Sequence, residues 1–106
     1  MSQTYTYLPN LGEQIDIPRD SILSSALFED DKIKVVLFRF AQGQSLSEHT
    51  ASKPATLHLI EGEARVQLGD DTLEATAGAW IHMPPELVHG IEAKTPLTML
   101  LYLLKA

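Results

Sequence analysis

"LSEHTASKPATLHLIEGEA", residues 46–64, carries two histidines nine residues apart and a glycine with a glutamate on either side. Its surroundings read as a metal-binding pair of β-strands, yet alanine and proline stand where further ligands are expected. The runs "ATLHLI" (Ala55–Ile60) and "EARVQL" (Glu63–Leu68) flank Gly62 and have the alternation and β-branched content of strands.

The same pattern continues outward. "KIKVVLFRF" (Lys32–Phe40) follows the acidic turn "EDD", and "GDD" (Gly69–Asp71) turns the chain into "TLEA" (Thr72–Ala75). "AWIHM" (Ala79–Met83) ends at "PP", where ladder bonding must stop. "VHGIEA" (Val88–Ala93) and "LTMLLYLL" (Leu97–Leu104) complete the set, and only "DSILSSALF" (Asp20–Phe28) has room for a helical turn. About eight short strands punctuated by Gly and Pro predict an antiparallel sandwich or barrel. With 106 residues and neither repeat nor linker, one domain over 1–106 is expected.

The closing strand bears on assembly. It is apolar in both registers, Met99-Leu101-Leu103 and Leu100-Tyr102-Leu104, whereas a strand with one wet face should alternate. A homodimer in which the partner covers the outside is expected; the alternative is an N-terminal segment folded over it.

Composition excludes several classes. A 44% hydrophobic and 21% charged chain is globular. A net charge of -6 with scattered Lys and Arg argues against nucleic acid as a partner. "MLLYLL" is too short to span a bilayer, and "MSQTYTYLPN" lacks the pattern of a signal segment, so no membrane partner and a cytoplasmic location are expected. The chain has no cysteine, which removes disulfides, thiolate metal sites and cysteine nucleophiles together.

The spacing of the glycines and histidines resembles the cupins, small double-stranded β-helix barrels of the jelly-roll type. Their first motif is G-x5-H-x-H-x3,4-E-x6-G; here Gly43, His49 and Gly62 fall in register, with Ala51 at the second histidine and Ala55 at the glutamate. The second motif, G-x5-P-x-G-x2-H-x3-N, maps onto "GAWIHMPPELVHGIEA" through Gly78, Pro84 and His89, with Glu86 at its second glycine and Ala93 at its asparagine. Fifteen residues separate Gly62 from Gly78, a spacing that resembles minimal bacterial single-domain cupins. The resemblance implies an all-β antiparallel barrel over residues 32–104, preceded by an N-terminal segment and first strands over 1–31. It implies no particular reaction, because one fold hosts many functions.

The resemblance also implies a metal site, in which two histidines and a glutamate of the first motif meet the histidine of the second. That donor set suits a divalent transition metal such as zinc, iron, nickel or manganese. Of those four positions this chain keeps His49 and His89, and two ligands hold such metals poorly. The other two histidines, His58 and His82, lie within the motif regions. Counting in twos from position 55 puts Leu57 inside and His58 outside unless a bulge near Pro54 reverses the parity. His82 is in register with Trp80 and Gly78; either it completes a three-histidine site, or it bonds to Glu48, Glu86 or backbone. Trp80, Leu57 and Glu86 are further candidates for the cavity, with Glu86 at its mouth and Trp80 either a wall or packing; Glu48 is expected on the surface.

Two functional readings follow, with a purely structural protein as a third. The first is a small-molecule-binding cupin, its ligand unknown, with an atypical or weakened divalent-metal site. The second is a metal-dependent enzyme of oxygenase, isomerase or decarboxylase type that uses His49 and His89 plus His82 or His58. Any bound metal should be lost on acidification, because coordination needs neutral imidazole.

Overall fold

The computed structural model describes residues 4–105. A 3-10 turn at Leu11–Glu13 precedes nine strands: β1 (Ile22–Glu29), β2 (Ile33–Phe40), β3 (Ser45–His49), β4 (Ala55–Glu61), β5 (Glu63–Leu68), β6 (Asp71–Thr76), β7 (Trp80–Met83), β8 (His89–Ala93) and β9 (Leu97–Leu104). They form a five-stranded sheet in the order β1-β2-β9-β4-β7 and a four-stranded sheet in the order β3-β8-β5-β6, with antiparallel pairing throughout. The result is the jelly-roll barrel that the two motifs imply.

Alternation builds the core. Ala55, Leu57 and Leu59 on β4 turn inward and are buried, as are Ala64 and Val66 on β5 and Ile91 and Ala93 on β8. They meet Phe40, Met83, Leu97 and Met99 between the sheets in one apolar cluster. Nearly complete removal of such side chains from water supplies most of the folding drive, at about 1.5–3 kcal/mol for each large one.

The segment with the helical alternative, Asp20–Phe28, is instead mostly strand: β1 pairs along β2 from Ile22↔Phe40 to Glu29↔Lys34. Ser24 and Ser25 gain little from a helix interior, and the ladder satisfies the backbone of both strands. The pairing also supplies the outer edge of the sheet.

The outer face of the five-stranded sheet is unusual. One row of neighbours crosses all five strands as Phe28, Val35, Tyr102, Thr56 and His82, and the next runs Ser25, Leu37, Leu100, His58 and Trp80. The N-terminal segment lies over part of it. Arg39 donates through Nη1 to the carbonyls of Gly12 at 2.7 Å and Ile15 at 2.9 Å, and through Nε to Thr98 Oγ1 at 3.1 Å. This anchor holds the segment down, and Leu37 and Leu100 are buried beside it. The two registers of β9 are therefore both apolar partly because the chain covers its own middle strands. No helix among the described residues is long and apolar enough to cross a membrane.

Candidate small-molecule and metal site

His49 reaches the interior through an irregularity in its strand. β3 pairs with β8 as Ser45↔Glu92, Leu46↔Ile91 and then His49↔His89, so Ser47 and Glu48 together oppose Gly90. That bulge shifts the parity by one residue and puts His49 on the same side as Leu46, three positions earlier. Gly90 makes the bulge possible: a Cβ there would lie 3.2 Å from the Leu46 carbonyl oxygen. Glu48 is left exposed on the outside.

The two imidazoles meet directly, with ring centroids 4.2 Å apart and planes tilted by 59°. His49 Nδ1 donates to the Ser47 carbonyl at 2.9 Å, and His89 Nδ1 to the Leu87 carbonyl at 2.9 Å. A carbonyl can only accept, so both Nδ1 atoms carry the proton, and in the neutral rings both Nε2 lone pairs are left for a ligand. The rings sit at a cavity of about 70 Å³ whose other walls are Phe38, Leu46, Leu57, Ile91, Met99 and Leu101. His49 is exposed and His89 half-buried, so the histidine end faces the mouth and the apolar end faces the core.

The remaining candidates lie elsewhere. Leu57 lines the cavity. His58 points outward, as strand parity indicates, opposite Leu100 on one side and Trp80 on the other. His82 also faces outward: it pairs with Thr56, while its neighbours Ile81 and Met83 pair with Leu57 and Ala55. Its Nδ1 is 3.1 Å from Thr56 Oγ1, and its ring stacks on Trp80 at 6.4 Å and 18°. The three-histidine arrangement is thus not formed, because Trp80 and His82 share the face away from the core. Trp80 is largely exposed and walls no part of the cavity.

Glu86 is likewise outside, exposed on the turn after Pro84 and Pro85, where its backbone N–H donates to the Ala51 carbonyl at 2.8 Å. It holds φ at +69°, the only non-glycine with positive φ among the described residues. The chain has thus kept the backbone of the motif glycine while replacing the residue. A left-handed conformation costs a side chain roughly 1–2 kcal/mol. Glu86→Gly should therefore raise stability by about 1 kcal/mol once the extra freedom of glycine in the unfolded chain is counted. A rise of about 4–8 °C in thermal midpoint is expected, and a fall would contradict it.

The residues present do not make a complete metal centre. No group of three or more His, Cys, Asp or Glu side chains able to hold a metal ion occurs among the described residues. Positions 51 and 55 carry methyl groups, and the cavity walls beyond the two rings are apolar. Two imidazoles fall short of the three or four protein ligands that zinc or iron takes in ordinary sites.

Shifted acidities mark the sheet ends and outer face. A hydrogen bond from Lys105 holds Glu29 below its usual range. The backbone N–H groups of Lys32 and Ile33 hold Asp30 down. On the four-stranded sheet, Glu74 raises Arg65 through a hydrogen bond of 2.9 Å.

Comparison with known proteins agrees with the motifs. The model of the cupin domain family matches residues 36–103. No curated protein matches the sequence. Among solved structures, a cupin superfamily protein from Desulfitobacterium hafniense is similar at a TM-score of 0.86 and 24% identity, over 100% of both chains. An RmlC-like cupin from Desulfovibrio desulfuricans is similar at 0.84 and 25%, over 95% of this chain and 98% of that one. The salicylate 1,2-dioxygenase of Pseudoaminobacter salicylatoxidans, solved with gentisate, shares only the fold, at a TM-score of 0.75 and 11% identity over 81% of this chain and 26% of that one. With most of the barrel matched and both motif histidines facing each other inside it, the chain belongs to the cupin domain family.

Proposed function

We propose that this cupin binds a small molecule at the His49–His89 end of the barrel and that its metal site is reduced. One observation carries the reading: two Nε2 acceptors stand together at the mouth of an apolar cavity, with no third ligand beside them among the described residues. A pair of fixed acceptors suits a ligand that brings its own donor, such as a hydroxyl or a weak acid, on an apolar body.

Size narrows the class further. An apolar cavity of roughly 150 Å³ accommodates benzene, and this one is about 70 Å³. The ligand therefore inserts a short apolar tail, no more than a few heavy atoms, and leaves its polar head between the rings and solvent. Drug-sized molecules need roughly 300 Å³ or more.

The test is elemental analysis of untagged protein, followed by a fragment screen read on the imidazole nitrogens by NMR. Well under one equivalent of transition metal is expected, together with hits that shift the Nε2 resonances of His49 and His89. His49→Ala with His89→Ala should abolish those hits. A stoichiometric metal that survives dialysis, and is lost in the double variant, would overturn the reading in favour of a metal-dependent enzyme.

A further inference from the structure

The outer face of the four-stranded sheet carries a groove of about 380 Å³, on the opposite side of β8 from the two cavity histidines. Two cross-strand rows build it. One runs Ser45, Glu92, Arg65 and Glu74 across β3, β8, β5 and β6, and the next runs from the Ser47–Glu48 bulge through Gly90 and Gln67 to Thr72. Val66 and Ile91, which alternate with these positions, are buried, so the rows face away from the core. Gly90 has no side chain to stand above the sheet. The groove forms over it, with backbone as the floor and the neighbouring side chains as walls.

Glu92 and Gln67 are half-buried beside that floor, while Glu48, Arg65 and Thr72 are exposed at the rim. Arg65 donates from Nε to Glu74 at 2.9 Å, and Glu92 acts on it only through space. Among the described residues, the Glu92 carboxylate accepts no hydrogen bond and the Arg65 Nη groups donate none.

We infer that this groove binds a small hydroxylated amine, an amino sugar in size and chemistry, with its ammonium on Glu92 and its hydroxyls on Gln67, Thr72 and the Arg65 Nη groups. Charge sets the sign of the ligand. Three carboxylates, Glu48, Glu74 and Glu92, line or flank the groove against one guanidinium, and that guanidinium is already paired. An anion is repelled there and a cation is held. The half-burial of Glu92 matters, because salt screens such a charge much less than an exposed one and charged hydrogen bonds are stronger than neutral ones. The other walls set the rest of the ligand: hydroxyls donate and accept, which fits a mixture of carboxamide, hydroxyl and guanidinium N–H groups. No aromatic ring lines the groove to take a flat apolar body, and no three metal-binding side chains converge among the described residues to take a bare ion. The volume is at the lower end of the roughly 300–1,000 Å³ usual for ligand sites, room for one sugar ring. The histidines are not part of this groove, so the proposal stands apart from what the barrel cavity binds.

The test is titration with glucosamine, glucose and gluconate at constant, slightly acidic pH, where the amine is charged, read on the backbone amides by NMR. Glucosamine should shift the amides of Gln67, Gly90 and Glu92 saturably and bind about tenfold more tightly than glucose, the worth of one charged hydrogen bond. Gluconate should not bind. Glu92→Gln keeps the shape and removes the charge, and should reduce glucosamine to the level of glucose. Asp31→Asn makes the same charge change in the exposed turn between β1 and β2 and should leave binding intact. If Glu92→Gln fails to fold, Gln67→Ala takes its place and should weaken both sugars. Equal binding of glucosamine and glucose overturns the proposal, as does the absence of saturable shifts at these amides. A loss in Asp31→Asn as large as in Glu92→Gln also overturns it, since attraction to the net charge of the chain would then suffice.

Discussion

Gly62→Ala should cost about 4 kcal/mol or more, most of the stability of a domain at the lower end of the usual range. Gly62 links β4 to β5, where the chain passes from the five-stranded sheet to the four-stranded one. Its φ is +94°, which alone penalises alanine by roughly 1–2 kcal/mol. Steric collision costs more: a Cβ would lie 2.2 Å from the Pro96 carbonyl oxygen and 3.1 Å from Leu97 Cα. Both are backbone atoms at the turn between β8 and β9, so relief requires two turns to separate.

That separation would disturb the bonds that tie them. Glu63 N donates to Thr95 Oγ1 at 2.9 Å, and Lys94 N donates to the Glu63 carbonyl at 2.8 Å. Each is worth about 1 kcal/mol net, against a total stability of roughly 5–15 kcal/mol for a typical domain. Gly78→Ala is the control, because φ there is +95° but nothing lies within 4 Å of the added carbon. It should lose only the conformational part. Urea denaturation of the two variants separates strain from collision, and equal losses would refute the steric account.

The same contrast between local and long-range causes decides what is legible in the sequence. β4 and β5 are readable because burial on an inner face imposes alternation, and the parity of His58 follows from it. β3 is not, because "SLSEH" has no apolar period and the bulge at Ser47–Glu48 breaks the count that would orient His49. The signal available is Gly90 directly after the motif histidine, a strand glycine that permits close backbone approach. Trp80 and His82 are ambiguous for another reason: both are rings on a four-residue edge strand, too short for alternation alone to say which face is buried. Met83, ahead of two prolines, fixes the inward face, and its neighbours in register then point out.

The histidine pair is legible and its chemistry is not. The match to the cupin motifs singles out His49 and His89, but the state of their ring nitrogens depends on the carbonyls of Ser47 and Leu87, which belong to the local backbone path. Those bonds turn two matching letters into two oriented acceptors.

Arg39 has a role that strand patterning alone does not disclose, although a charge between Phe38 and Phe40 on a buried strand needs a reason. Its guanidinium binds Thr98 and the carbonyls of Gly12 and Ile15; the contact with Glu61 at 3.4 Å adds little, since that carboxylate is mostly exposed. Arg39→Ala removes three donors to partly buried acceptors, each such charged bond being worth roughly 1.5–3 kcal/mol before water replaces it. A net loss of about 3 kcal/mol is expected. The location of the loss is more telling than its size. Residues 4–18 should lose hydrogen-exchange protection and become protease-sensitive while the barrel strands keep theirs, because the anchor acts on the segment and not on the ladder. Arg39→Met retains the apolar stem without the donors and should behave nearly as badly, which distinguishes bonding from packing. Arg39→Lys should recover little, since one ammonium cannot reproduce a planar fork serving acceptors in different directions. If the segment stays protected in all three variants, it is held by apolar packing of residues such as Leu8 and Leu11, which line the same groove as Leu100, and the arginine has another role.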